Sequence, residues 1–93
     1  MLYDDFLNMR KVMRDFLNER IENVDITDTA DLMALASLLQ ASRRLELDDG
    51  YGAGEGGYLS DNISKLITRC IEERKENPTI YLYRAIAELL KYF

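Results

Sequence analysis

An all-α fold follows from three observations on this 93-residue chain. Apolar residues recur at alternating three- and four-residue steps in four separate segments. No segment shows the strict alternation of a half-buried strand. All five glycines fall in one stretch, residues 50–57, so the periodic segments contain none. The expected architecture is a single small domain of two helical hairpins joined by a glycine-rich loop. Its helices cover residues 3–22, 29–47, 60–76 and 78–93, with the loop at 48–58.

In the first helix, Leu2, Phe6, Met9, Met13 and Phe16 form one apolar stripe. Leu17, Ile21 and Val24 continue it after a one-residue shift. Asp4 and Asp5 sit where the helix dipole favours negative charge. Arg10, Lys11 and Arg14 make a basic patch on the outer side. A solvated face is the simplest reading of that patch; as a functional reading, Arg10 and Arg14 are candidate ligand or partner contacts.

Residues 23–28 form a turn, in which Thr27 or Asp28 can cap the second helix. That helix carries Leu32, Leu35, Leu39 and Ser42 on one line, with Leu38, Ala41 and Leu45 beside it. Its four alanines, Ala30, Ala34, Ala36 and Ala41, permit close approach of a neighbouring helix. Arg43 and Arg44 lie near its end, where positive charge is favourable.

Gly52-Ala53-Gly54-Glu55-Gly56-Gly57 fits G-x-G-x-x-G by letter. A dinucleotide site also needs a strand before the glycines and a helix after them. Here a helix precedes them, and Asp48, Asp49 and Glu55 repel phosphate. A P-loop fails because Tyr58 and Leu59 stand where Lys and Ser/Thr are required. A calcium hand fails because Leu45 and Leu47 take ligand positions. The segment reads as an acidic loop, the most mobile internal part of the chain. Tyr51 and Tyr58 bracket it and, with Glu55, are candidate partner contacts.

Ser60 is the expected cap of the third helix, whose apolar face is Ile63, Leu66, Ile67, Cys70 and Ile71. Asn77-Pro78 ends it, and Asn77 is the expected cap of the fourth. That last helix is apolar nearly all round: its only charges, Arg84, Glu88 and Lys91, share one stripe. Leu82, Ile86, Leu89 and Phe93 mark the expected core side. Tyr83, Leu90 and Tyr92 flank it and are the expected contacts to a second copy of the chain.

Composition narrows the function. A net charge of −5 argues against direct nucleic-acid binding and suits a basic protein partner. Without histidine there is no Ser-His or Cys-His pair, and a single cysteine makes neither a disulfide nor a structural zinc site. Cys70 reads as a buried inert thiol, and Glu72 and Glu76 as a solvated helix end. The expectation is therefore no catalytic residue, no metal and no cofactor. The chain begins without a signal-like segment and has no run long enough to span a bilayer, so the expected setting is cytoplasmic, away from membranes.

Eight arginines to four lysines, and six tyrosines without a tryptophan, suit an interface. The expected function is that of a small acidic binding protein that docks on a larger protein or complex and inhibits or regulates it. It has the general look of a phage-encoded accessory protein, such as an inhibitor of host defence. Two alternatives are an oligomer that binds or sequesters a nucleotide or small ligand, and a DNA mimic, for which −5 is a weak charge. A homodimer or higher homo-oligomer is expected in either of the first two.

Overall fold

The computed structural model describes residues 2–48 and 57–93. It contains four helices, α1 (Tyr3–Asn23), α2 (Thr29–Ser42), α3 (Leu59–Arg74) and α4 (Ile80–Leu90), and no strand among the described residues. A short 3-10 turn, Arg43–Leu45, extends α2, and Glu46 closes it in the left-handed region at φ 51°.

The helix ends show how local chemistry sets these boundaries. Asp28 caps α2, its carboxylate accepting the Asp31 N–H at 3.1 Å. Thr27 instead donates its N–H and hydroxyl to Asp25, which holds that carboxyl below its ordinary range. At α4 the cap is Thr79, not Asn77. Thr79 has extended backbone, and its hydroxyl accepts the Leu82 N–H at 3.1 Å. The helix therefore begins two residues past Pro78, rather than at it.

The expected Ser60 cap of α3 is also replaced. Asp48 reaches across from the end of the second helical segment. Its carboxylate accepts the N–H groups of Leu59 and Ser60 at 2.6 and 2.7 Å. An acid in that place satisfies two orphan donors and sits at the positive end of the helix dipole.

The main packing partners are not the successive helices expected of two hairpins. α1 packs chiefly on α3, and α2 on α4. Asn18 meets Asn62, and Arg69 reaches the carbonyls of Glu22 and Val24, so α1 and α3 run the same way. Gln40 meets Glu88, and Arg43 stands over the Tyr92 ring, so α2 and α4 are likewise parallel. Each intervening helix acts as the return stroke that a parallel pair requires.

The core is drawn from all four helices, with Leu17, Leu32, Leu39, Leu59, Ile63 and Leu89 fully enclosed. On α2 the line Leu32, Leu35, Leu39 and Ser42 is buried as expected. On α4 Leu82 and Leu89 are buried as expected, and the buried face extends onto the expected flank. Ala85 is fully buried and Tyr92 nearly so, whereas Ile86 is half-buried and Phe93 is exposed. Small residues draw the helices together at Ala36 on α2 and Ala85 on α4, both without exposed surface. The larger side chains on Phe93's side are consequently left outside.

The molecule is elongated, 48 × 23 × 20 Å, with a radius of gyration of 13.9 Å. A compact domain of this length has a value near ~12 Å. Helix α1 accounts for much of the length, since its 21 residues span about 31 Å. Its buried residues, Leu17, Asn18 and Ile21, lie in its second half, and Met13 packs against the core before them.

Candidate interaction surface

Two features of the surface have the makings of a binding site. The first is the outer side of α4. Ile80, Tyr83, Ala87 and Leu90 lie at i, i+3, i+7 and i+10, on one line of the helix. Ile80, Tyr83 and Leu90 are 62%, 59% and 54% exposed. Arg84 and Lys91 edge this strip. Glu88 is turned inward, accepting hydrogen bonds from Lys91 and Gln40, which hold its carboxyl below the ordinary range. Helix α4 is thus neither wrapped by the other three nor shielded by charge.

Of the three expected oligomer contacts, Tyr83 and Leu90 stand on this strip and Tyr92 does not. Tyr92 is buried within the protomer, its hydroxyl donating to Asp48 at 3.1 Å. Burial, followed by the negative charge of Asp48 and the bond to it, pushes the Tyr92 phenol up to about 12 from an ordinary 10. The proton is therefore held more tightly in the folded chain than in the unfolded one. Stability from this contact is intact below pH 10 and falls as pH rises towards 12. Denaturation monitored by circular dichroism should show that alkaline loss, and Tyr92→Phe should flatten it. An equal slope in both proteins would contradict the assignment.

The second feature is a cleft of about 940 Å³ between α1 and α3. Lys11, Arg14, Lys65 and Arg69 line it against Asp15, Glu19 and Glu22, four cations to three carboxylates in a chain of net charge −5. Asn18 closes its floor, donating to the Gly57 carbonyl at 3.3 Å and accepting from Asn62 at 2.7 Å. Arg69 is committed to the end of α1. The Arg14 Nε is buried and has no hydrogen-bond partner among the described residues. Its neighbours one turn away on α1 are Arg10, Lys11, Leu17 and Asn18, none of them acidic.

Arg10, the other basic residue expected at a contact, has a structural task. It donates from Nε to the Leu45 carbonyl and from Nη2 to the Glu46 carbonyl, both at 2.8 Å. Two carbonyls left open by the end of the 3-10 turn are thereby satisfied, and α1 is fastened to α2. Tyr58 is exposed at the start of α3. Tyr51, Glu55 and the expected mobility of residues 50–56 lie outside the described residues.

Cys70 is fully enclosed on α3, and burial pushes its thiol up, away from the reactive thiolate. Among the described residues, no three acidic, cysteine or histidine side chains are grouped to hold a metal ion. No described helix is long and apolar enough to cross a membrane. No protein-family model, curated protein or solved structure matches the chain.

Proposed function

We propose that the protein is a docking module without catalytic activity, which inhibits or regulates a larger protein by laying the outer strip of α4 into a groove on it. The observation that carries this reading is the exposed line Ile80, Tyr83, Ala87 and Leu90. Anchors at i, i+3, i+7 and i+10 are the spacing by which an amphipathic helix fills an apolar groove. Tyrosine at such a surface is a frequent source of binding energy, and the Arg84–Lys91 edge supplies a polar rim.

Leu90→Asp tests the proposal. The side chain is more than half exposed, so the change should alter stability by no more than about 0.5 kcal/mol. Partner recovered from the native host by the wild-type protein should be lost with the variant, and hydrogen exchange in the complex should slow along α4. Equal recovery by both proteins would overturn the proposal.

The cleft favours a second reading, binding of a phosphate-bearing small ligand, because the Arg14 Nε is a buried donor with no acceptor among the described residues. A nucleotide that raises the melting temperature of the wild-type protein but not of Arg14→Ala would support it. No shift with any nucleotide would remove it.

A further inference from the structure

The cleft between α1 and α3 sorts its charges into rows. Lys11, Arg14 and Asn18 lie at i, i+3 and i+7, on the line of α1 that meets α3 through the Asn18–Asn62 bond. Asp15, Glu19 and Glu22 lie at i, i+4 and i+7 on the line beside it, and all three are exposed. The α1 wall is therefore basic on its inner side and acidic along its outer rim.

The charges are also uneven along the cleft. The two helices are parallel, so the Asn18–Asn62 bond marks one level in both. Before it stand Lys11 and Arg14 against Asp15, two cations to one carboxylate. After it stand Lys65 and Arg69 against Glu19 and Glu22, two to two. Positive charge is thus in excess at the first end alone. Among the described residues no ion pair joins any of these seven groups, and Arg69 is bonded instead to the backbone carbonyls of Glu22 and Val24.

Arg14 is the group best placed to receive an anion. Its Nε is buried and has no acceptor among the described residues. A guanidinium offers Nε and one Nη side by side, which matches two oxygens of a phosphate. Lys11, one turn earlier on the same line, supplies a second cation. Further along α1 the rim is carboxylate as far as Glu22, eight residues from Arg14 or about 12 Å of helix.

We propose that the ligand of this cleft is a phosphate monoester on a body that carries hydroxyl or amine donors, as in a nucleoside monophosphate or a sugar phosphate. The proposal rests on the reading of the cleft as a phosphate site and narrows it. One dianionic phosphate is matched by Arg14 and Lys11 together. The donors of the body then face the Glu19 and Glu22 carboxylates. A di- or triphosphate fits worse, because its further charges have no cation left at that end. Laid along the cleft, its chain would run beside the acidic rim, and like charges brought together exclude a competing ligand.

Isothermal titration calorimetry without magnesium tests this with adenosine monophosphate, adenosine triphosphate, ribose 5-phosphate and inorganic phosphate. At least one of the two monoesters should bind about tenfold tighter than the triphosphate and than inorganic phosphate. The better of the two monoesters tells a nucleotide site from a sugar-phosphate site. Arg14→Ala should weaken the monoester by about tenfold or more, the loss of a charge-assisted bond. Glu19→Gln with Glu22→Gln alters exposed residues only, so the fold should persist by circular dichroism even if Arg14→Ala does not fold. In that double variant the monoester should weaken and the triphosphate strengthen, to within about threefold of each other. Leu90→Asp should leave all four titrations unchanged.

A triphosphate that binds the wild-type protein as tightly as the monoesters would overturn the proposal while leaving a phosphate site in place. Inorganic phosphate binding equally well would overturn it too, since the body would then not be recognised. So would a preference for the monoester that survives Glu19→Gln with Glu22→Gln. No binding of any of the four at millimolar concentration would overturn both the proposal and the phosphate reading beneath it.

Discussion

Asp48→Ala is expected to lower the stability of the protein by about 2–4 kcal/mol, through lost cap bonds and stranded donors. One carboxylate accepts three donors from two elements: the N–H groups of Leu59 and Ser60 at the start of α3, and the hydroxyl of Tyr92 beyond α4. Removal strands all three in surroundings where Leu59 is fully enclosed and Tyr92 nearly so. Water replaces them poorly there, so the cost exceeds that of an exposed cap. The melting midpoint should fall on the order of 10–30 °C. Asp48→Asn should cost less, since the amide retains one acceptor oxygen, and Tyr92→Phe should cost least. A double-mutant cycle of Asp48→Ala with Tyr92→Phe should show non-additivity, because the two share a bond. A loss below 0.5 kcal/mol on the order expected of a surface change would show that α3 is started by something else.

This interaction also shows where sequence reading stops. Helix periodicity is a local property, so the four helices and the buried lines Leu32–Leu35–Leu39 and Ile63–Leu66–Cys70 were legible from spacing alone. Asp48 is eleven residues from Leu59 along the chain, and no short-range rule joins them. Only the closing of the chain on itself reveals that the acid before the glycines, rather than Ser60, caps α3. Thr79 failed for a different reason. Asn77 and Thr79 are both good caps two residues apart, and the choice depends on how α4 docks.

On α4 Leu82 and Leu89 are the core residues that spacing marks, while Phe93 gives way to Ala85 and Tyr92, because a hydrophobic wheel weighs residues by apolarity and packing weighs them by shape as well. Ala85 adds little apolar area, yet it is fully enclosed. Tyr92 follows it inward and Phe93 is turned out. On α1 the one-residue shift between Phe16 and Leu17 was visible as a slip in the stripe. Its consequence, Leu17 and Ile21 enclosed and Phe16 left 47% exposed, required knowing where α3 lies. The candidate contacts divided along the same line. Tyr83 and Leu90 were legible as flank positions, whereas Arg10 could not be known to serve two backbone carbonyls until the end of the 3-10 turn was placed against it.

Leu89 and Leu90 are adjacent in sequence and should respond in opposite ways. Leu89 is fully enclosed between α4 and the rest of the core, while Leu90 is 54% exposed. Leu89→Ala removes three heavy atoms from a site with no solvent to relax into. Buried leucine truncations of this type cost about 2–5 kcal/mol, the larger values where the cavity cannot collapse. Collapse at Leu89 is opposed by the fixed ends of α4, with Thr79 capping one and Gln40 holding the Glu88 carbonyl near the other. A loss towards the upper end, about 3–5 kcal/mol, is therefore expected. A domain of this size holds roughly 5–14 kcal/mol in all, so the variant should be close to unfolding at 37 °C. Urea titration should show a lower midpoint with an unchanged slope, since the same surface is exposed on unfolding. Leu90→Asp should show the wild-type midpoint. A loss below about 1 kcal/mol for Leu89→Ala would mean that α4 is not docked on α2 in solution, and the strip assigned to a partner would then have no fixed face to stand on.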